Sequence, residues 1–291
     1  SNADSQASEA SKIHEELHEF GSNSVGDKQQ RLIDWNTETL LSLLKQVVAR
    51  RDAQEKLEIS LPITNNLVAS SSTEVPLDEV LEIIELPEFS REVARKQKKP
   101  ERVQLDNIIV RELREYVSTI CGMYKDNPFH NFEHASHVVM SVTKLLSRIV
   151  ALEMESSDMD VVQPSAQLHD HTYGITSDPL TQFACAFTAL IHDVDHSGVP
   201  NTQLIKEQSA LAKRYKKRSV AEQNSLDLSW NLLQSSAYSH LRAALAPTKE
   251  EMQRFRALCV NSVMATDIAD KDLKQLRNSR WERAFDDAQS V

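Results

Sequence analysis

Apolar residues recur every three to four positions through much of the chain, a spacing that predicts amphipathic helices. Four segments show it clearly: residues 34–59, 105–124, 131–152 and 178–193. The last begins with an Asp-Pro pair suited to a helix start and ends at a His-Asp pair. The stripe residues, in chain order, are Leu40, Leu44, Val47 or Val48, and Leu57; Ile108, Leu113, Val117 and Ile120; Val138, Val142, Leu145 and Ile149; and Leu180, Phe183, Phe187 and Ile191.

Shorter helical patterns lie between and after these segments. They cover residues 77–86, 201–216, 220–235, 238–245 and 249–266. The chain has only 5 glycines and 9 prolines in 291 residues, so the punctuation that strands and hairpins need is scarce. The sequence therefore predicts an all-α fold.

Composition divides the chain into three regions. Residues 1–33 open with Ser-Asn-Ala, which resembles the remnant of a cleaved expression tag, and continue as a Ser-, Glu- and Ala-rich segment that we expect to be flexible. Residues 34–85 form a helical linker or N-terminal extension, and residues 86–291 form the main body. The helix of 34–59 either packs on that body or pairs with a second copy as a homodimer. The tag-like start also suggests an upstream regulatory or membrane domain in the native protein.

Charge and cysteine usage exclude several classes of protein. The formal net charge of −10 opposes binding to nucleic acid, so an anionic substrate would need a local cation such as a metal ion. The three cysteines are far apart, which argues against a disulfide framework or a thiolate zinc site and favours a reducing, cytoplasmic compartment. The longest apolar stretch, Phe183–Ile191, is too short to cross a bilayer, so we expect a soluble chain.

Two histidine-rich signatures carry the candidate chemistry. The first is HNFEHA at residues 130–135, and the second is HDVDHSGVPN at residues 192–201. The histidines of the first are four residues apart and would share one face of a helix. The second crowds two imidazoles and a carboxylate into one turn or helix end. Such a donor set suits a divalent metal ion.

Both signatures resemble those of class I 3′,5′-cyclic nucleotide phosphodiesterases, His-Asn-x-x-His-Ala and His-Asp-x-x-His-x-Gly-x-x-Asn. The likeness extends to residues 209–215, 219–222 and 265–268 and covers roughly 86–291. The resemblance implies a compact multi-helix phosphodiesterase (HD-type) catalytic fold, with 86–291 as its N-terminal part. It also implies hydrolysis of cAMP, cGMP or both to nucleoside 5′-monophosphates.

The resemblance further implies a site with two divalent metals. His134, His192 and Asp193 would bind the first, zinc-like ion, and Asp193 would also reach a second ion, magnesium or manganese. A hydroxide would bridge the two metals. His130 would act as the general acid that protonates the departing O3′ of the ribose.

Six further residues receive supporting roles from the same resemblance. Four of them would orient metal-bound water, the last two more remotely: His196, Glu222, Thr266 and Asp267. Asn131 and Asn201 would be structural partners of the loop and helix ends beside the site.

The chain departs from the commonest family pattern at three places. Phe129 stands where Tyr is common, His137 where Asp is common, and Asn224-Ser225 where a His pair is common. All the implied metal ligands of the two signatures are retained, so these departures bear on substrate preference, and the choice between cAMP and cGMP stays open.

Family members also carry a further Asp ligand and a base-contacting Gln well downstream of residues 266–267, whereas this sequence ends at Val291. The nearby aspartates are too close to that segment to replace them: Asp270, Asp272, Asp286 and Asp287. We therefore expect a catalytic domain that is incomplete at its C-terminal end, with weak or no activity in isolation.

Two alternatives remain on sequence grounds. The chain could be another HD-type metal phosphohydrolase, or a non-catalytic nucleotide-binding or interaction module. The two complete signatures favour the cyclic nucleotide phosphodiesterase over a generic HD enzyme, which needs only the central His-Asp pair and scattered ligands.

Overall fold

The computed structural model describes residues 26–57, 75–81, 84, 87–151, 169, 172 and 174–286. In this part of the chain the regular structure consists of α-helices and short 3-10 helices, without strands, so the predicted all-α fold is confirmed. The α-helices are α1 (Asp27–Glu55), α2 (Arg91–Lys96), α3 (Asn107–Met123), α4 (Phe132–Ala151), α5 (Pro179–Ile191), α6 (Asn201–Lys206), α7 (Ala210–Arg214), α8 (Val220–Gln234), α9 (Ser239–Leu245), α10 (Lys249–Met264) and α11 (Lys271–Asp286). The 3-10 helices are Pro76–Glu79, Pro100–Arg102, Ile175–Ser177 and Ser236–Tyr238.

Helix α5 is the centre of the fold. Every one of its residues except Cys185 is buried, and α1, α4 and α10 pack around it. The side chain of Asp178 caps its start by accepting a hydrogen bond from the Thr181 N–H at 3.3 Å. All four predicted stripe residues lie in the core. Because the helix is enclosed, the polar residues that follow its C-terminal end are held at a fixed place beside the core.

Helix α1 begins at Asp27, earlier than the predicted start at Asp34. Its first turns are polar and carry little apolar periodicity, so the pattern does not reveal them. The stripe residues Leu40, Leu44 and Val47 are buried against the other helices of the same chain. The face that could have paired with a second copy is therefore covered within the chain, as expected for a helix that packs on the body.

Helix α4 buries a face that overlaps the predicted one only in part. The residues that enter the core are Phe132, Ala135, Ser136 and Val139. Two residues of the predicted stripe, Val138 and Val142, are partly buried against this core, whereas Leu145 is 59% exposed. A shift of one residue turns a helix face by about 100°. The contacts of α4 with α1 and α5 select the face that is buried.

Three other elements differ from the sequence prediction. Where a helix over 77–86 was expected, the described residues form a 3-10 turn, Pro76–Glu79, that ends where Val80 becomes extended. The expected helix over 201–216 is split into α6 and α7, because Gln208 has a φ of 53° and Ser209 caps a new helix. Helix α11 has no counterpart among the predicted elements. The tag-like start and the predicted break at 155–164 lie outside the described residues.

Two further features of the described residues are the state of the cysteines and the apolar character of the helices. Cys121, Cys185 and Cys259 are free thiols, as the wide spacing predicts. Among the helices that the structure describes, not one combines the length and the apolar character that crossing a membrane requires.

Candidate metal centre

The two signatures meet between the start of α4 and the end of α5. Asn131 caps α4, since its Oδ1 accepts a hydrogen bond from the His134 N–H at 2.9 Å. This cap places His134 in the first turn of α4. His192 and Asp193 follow directly after Ile191, the last residue of α5. Two helix ends therefore bring the two halves of the site together.

His134, His192 and Asp193 form a compact group of potential metal ligands. Asp193 Oδ2 lies 3.6 Å from His134 Nε2 and 3.1 Å from His192 Nε2. One ligand atom from each residue lies within 4.8 Å of the others. Two imidazoles and one carboxylate are ligands that zinc accepts, and three protein ligands leave a position open for water or substrate.

The imidazole of His192 is held in the form that a metal needs. Its Nδ1 lies 2.9 Å from the carbonyl oxygen of Ala189. A carbonyl can only accept a hydrogen bond, so Nδ1 carries the proton and the lone pair of the neutral ring is on Nε2, the atom beside Asp193. The fold thus orients this ligand before any metal binds.

His196 is oriented in the opposite sense. Its Nδ1 accepts a hydrogen bond from the Gly198 N–H at 3.0 Å, so the proton of the neutral ring lies on Nε2. His130, Asp193 and His196 form a second group whose ligand atoms lie within 4.8 Å. A metal at His196 would have to displace the Nε2 proton or compete with the Gly198 N–H. This second group therefore fits a metal less well than the first.

Ionisation within the cluster is set by burial and by close opposite charges. Burial disfavours the Asp193 carboxylate, but the hydrogen bond and charge of His192 outweigh it and lower the pKa of Asp193. Burial alone would also lower the pKa of His192, yet Asp193 raises it overall. Burial lowers the pKa of His134. The arrangement favours an ionised Asp193, as a metal ligand must be.

Three more of the predicted residues form a neighbouring cluster. Asn201 Nδ2 donates to Glu222 Oε2 at 2.8 Å and lies 3.4 Å from Asp267 Oδ2. Asn201 Oδ1 accepts a hydrogen bond from the Ala221 N–H at 2.9 Å. Burial, with a further contribution from Asp267, raises the pKa of Glu222. Asn201 thus holds two carboxyl groups in place. The charge of Glu222 helps to raise the pKa of His192, and the charge of Asp193 helps to raise the pKa of Glu222.

Thr266 and Asp267 are engaged mainly by their own surroundings. Asp267 Oδ1 accepts hydrogen bonds from the N–H groups of Ala269 and Asp270 at 3.0 and 3.1 Å. Thr266 is exposed, and its hydroxyl donates to the carbonyl of Val263 at 2.7 Å. The structure brings Asp267 to the Asn201 cluster, while the hydroxyl of Thr266 is used at the end of α10.

The chain is similar to known proteins in sequence. A sequence model of the family described as 3′5′-cyclic nucleotide phosphodiesterase matches residues 129–284, more than half of the 291-residue chain. The chain belongs to this phosphodiesterase family. The matched range contains both histidine signatures and the cluster around Asn201, and the family assignment made from the signatures is therefore confirmed.

The phosphodiesterase relatives are longer proteins. A probable 3′,5′-cyclic-AMP phosphodiesterase, pde-4, of Caenorhabditis elegans is 33% identical over 154 residues, which cover 53% of this chain and 19% of that protein. The cGMP-inhibited 3′,5′-cyclic phosphodiesterase 3A of Homo sapiens is 29% identical over 185 residues, covering 55% and 16%. The chain thus spans less than a fifth of either relative. Among solved structures, the phosphodiesterase domain of a RhoPDE fusion protein from the choanoflagellate Salpingoeca rosetta is 25% identical with a TM-score of 0.43, covering 57% of this chain and 43% of that one.

The departures from the common phosphodiesterase pattern occupy defined positions around the site. Phe129 is 60% exposed, and its ring centroid lies 4.3 Å from that of His134. His137 is exposed, and its charge contributes to the lowered pKa of His134 after burial and nearer groups. Asn224 Nδ2 donates to Asp195 Oδ2 at 2.9 Å. Asn224 therefore supports the loop after α5.

Two residues near the candidate site were missed by sequence reasoning. Asp195 has a φ of 60° and an ion pair with Lys125 at 2.7 Å. Asn127 donates hydrogen bonds to the carbonyl oxygens of His130 and His196, one from each signature, at 2.7 and 3.2 Å. The Asn-Pro pair at 127–128 signals a turn, but it does not indicate contacts with a distant loop.

Proposed function

We propose that this chain carries the hydrolytic site of a 3′,5′-cyclic nucleotide phosphodiesterase, converting cAMP, cGMP or both to nucleoside 5′-monophosphates with the help of divalent metals. The observation that carries the proposal is the convergence of His134, His192 and Asp193 on one point, with His130 beside them, in a chain of this family. The relatives described as cyclic-AMP phosphodiesterases support cAMP as the first substrate to test.

His134, His192 and Asp193 would hold the first metal, which we propose to be zinc. Asp193 would also contribute an oxygen to a second metal, magnesium or manganese, because hard cations prefer carboxylate and water ligands. When bound, such cations activate water and neutralise phosphate oxygens. The orientation of His192 by the Ala189 carbonyl supports this ligand set, since it puts the lone pair of the neutral ring on Nε2, the nitrogen that faces Asp193.

His130 is proposed to supply the proton that the leaving group needs. A water oxygen forms a bond to phosphorus, the P–O3′ bond breaks, and its electron pair stays on O3′. O3′ takes a proton from the imidazolium of His130, which avoids expelling a bare alkoxide. The proton that the water loses passes to solvent, and His130 is reprotonated from solvent. In total, one cyclic diester and one water give one 5′-monophosphate.

His196 and Glu222 are proposed to orient water at the site. The Nε2 proton of His196 is a donor, because Nδ1 is occupied by the Gly198 N–H. Glu222 is mostly buried and is held by Asn201 at 2.8 Å, so its remaining oxygen can accept a hydrogen bond from water. Asp267 Oδ2 lies 3.4 Å from the same amide nitrogen of Asn201. We propose that Asp267 and Thr266 also orient water, from a greater distance.

The test measures hydrolysis of cAMP and cGMP, with zinc and magnesium or manganese, by the chain and by a version extended at its C-terminus to include the further Asp and Gln of the family pattern. The variants are made in the extended version, and the zinc that each retains after dialysis is measured as well. His130→Ala should lower kcat by about 10²- to 10⁴-fold, the usual contribution of general acid catalysis, and should keep zinc. Asp193→Asn should lose both turnover and zinc. His240→Gln, a change at a histidine that pairs with Glu112 on α3, serves as the matched control and should keep both.

Two outcomes would contradict the proposal. Absence of turnover of either cyclic nucleotide by the zinc-loaded, C-terminally extended chain would refute it, and turnover of a different phosphate ester would then favour another HD-type phosphohydrolase. Binding of a cyclic nucleotide without product, in the presence of both metals, would favour a non-catalytic binding module.

A further inference from the structure

The rings of His130 and His196 are stacked face to face across two separate loops. Their centroids are 3.8 Å apart and their planes are inclined by 26°. His130 lies just before α4, and His196 lies in the loop after α5. The relative position of these two rings therefore depends on how the two loops are joined.

A single side-chain amide joins the backbones of the two loops. Asn127 Nδ2 donates to the carbonyl oxygen of His130 at 2.7 Å and to that of His196 at 3.2 Å. Both N–H donors of the amide are thus used, one on each stacked histidine. Asn127 Oδ1 accepts a hydrogen bond from the Phe129 N–H at 3.2 Å, which fixes the amide in its own turn.

Other contacts hold Asn127 itself in place. Its carbonyl oxygen accepts a hydrogen bond from Asn131 Nδ2 at 3.0 Å, which connects it to the cap of α4. A Cβ built on Gly198 would lie 3.8 Å from Asn127 Cβ, so this glycine lies close against the asparagine. Asn127 therefore lies between the cap that places His134 and the loop that carries His196.

We propose that Asn127 is a positioning residue, whose amide sets the stacked arrangement of His130 and His196 and so aims the proton donor at the leaving oxygen. This proposal rests on the hydrolytic function proposed above. Asparagine suits the task because its amide offers two donors and one acceptor, and here it makes all three kinds of contact. A displacement of about 1 Å in a catalytic group can cost about 100-fold in rate, so the effect on kcat should be large.

The test variant is Asn127→Asp. It keeps the size of the side chain and the acceptor for the Phe129 N–H, but it removes both donors and places a carboxylate against two carbonyl oxygens. Asn127→Ala is the second variant, which removes the donors without adding charge. Asn231→Asp, the same chemical change at an exposed position on α8, is the matched control. Zinc retention and urea unfolding establish that each variant is folded with an intact ligand group.

The first readout compares two substrates. The alkoxide O3′ of cAMP needs a proton to depart, whereas the nitrophenolate of bis(4-nitrophenyl) phosphate does not. We expect Asn127→Asp to lower kcat for cAMP by about 10- to 100-fold, with a much smaller loss on the aryl diester and little change in KM. His130→Ala should show the same selectivity, and Asn231→Asp should show neither loss. Equal losses on both substrates, or no loss on either, would overturn the positioning role.

The second readout needs no turnover. An aromatic ring stacked on His130 shifts the NMR signals of its ring protons, and His196→Ala gives the reference positions for an unstacked His130. We expect Asn127→Ala and Asn127→Asp to move the His130 signals to those reference positions, while Asn231→Asp leaves them unchanged. If the signals stay in place, the proposal is wrong. If they move but the C-terminally extended chain without these substitutions hydrolyses no cyclic nucleotide, the structural link stands, and both the proposed function and the catalytic part of the positioning role fail.

Discussion

The side-chain amide of Asn36 donates a hydrogen bond of 2.8 Å to the hydroxyl of Ser136, 100 residues further along the chain, and both residues are fully buried. Asn36 lies on α1, and Ser136 lies on α4 one position beyond the first helical turn that carries His134. Ser136 also donates to the carbonyl of Phe132 at 2.8 Å. Helix α1 is therefore hydrogen-bonded directly to α4, the helix that supplies the predicted metal ligand His134.

This bond should contribute measurably to stability. We expect Asn36→Ala and Ser136→Ala each to lower the free energy of unfolding by about 1–3 kcal/mol. The double variant should lose less than the sum, by about 1 kcal/mol, because both changes remove the same hydrogen bond. Urea unfolding of the four proteins measures this coupling. The pair Asn36→Ala and Ser147→Ala, with Ser147 exposed on α4, should be additive, and additivity in the buried pair would show that the bond contributes nothing.

Two glycines should respond to alanine in opposite directions. Gly198 has a φ of 77°, a left-handed conformation that costs a residue with a Cβ about 1–2 kcal/mol, so Gly198→Ala should destabilise the chain by about that amount. Gly122 is helical with open space around its Cα, so Gly122→Ala should stabilise by about 0.5–1 kcal/mol. Urea midpoints compare the two. A stabilising Gly198→Ala would refute the conformation of the loop that carries His196.

Asp227 should make stability depend on pH. Burial raises the pKa of its carboxyl group in the folded chain, despite a hydrogen bond from the Tyr215 hydroxyl at 3.0 Å. The folded state therefore binds this proton more tightly than the unfolded state. The contribution to stability is present below the ordinary pKa and is lost as the pH rises through the raised one.

Asp227→Asn removes this titration and leaves an oxygen to accept from Tyr215. Urea unfolding gives the free energy of unfolding of Asp227→Asn and of the unsubstituted chain at each pH. We expect the variant's value minus that of the unsubstituted chain to be larger at pH 7 than at pH 4. Glu55→Gln, a charge removal at an exposed position, should show no such trend. A relative stability that falls between pH 4 and pH 7 would contradict the raised pKa of Asp227.

The helices that sequence reasoning predicted well are those whose apolar spacing matches a single buried face. The stripe of α5 is an example, since all four of its predicted residues lie in the core. Polar helix starts such as Asp27, and the largely polar α11, give no such pattern. The buried face of α4 depends on neighbours that are distant in sequence. The break at Gln208 depends on a left-handed residue that propensity does not reveal.

In the candidate site, too, some residues are revealed by a local sequence pattern and others depend on neighbours that are distant in sequence. The histidines and Asp193 are recognisable because their residue types and spacing are specific to metal chemistry. Asn127 is not recognisable in this way, because it donates to backbone carbonyl oxygens, which every residue has. One of these carbonyl groups belongs to His196, 69 positions away. Its contribution appears only once the two loops are placed side by side.

The most direct test of the central claim identifies the product of cAMP hydrolysis in water enriched in ¹⁸O, with zinc and magnesium present. We expect 5′-AMP with a single ¹⁸O on phosphorus, formed by the C-terminally extended chain and lost in Asp193→Asn, because water attacks phosphorus and O3′ departs with the proton from His130. Formation of 3′-AMP would contradict the assignment of O3′ as leaving group, and the absence of any monophosphate from the metal-loaded, C-terminally extended chain would contradict the hydrolytic function itself.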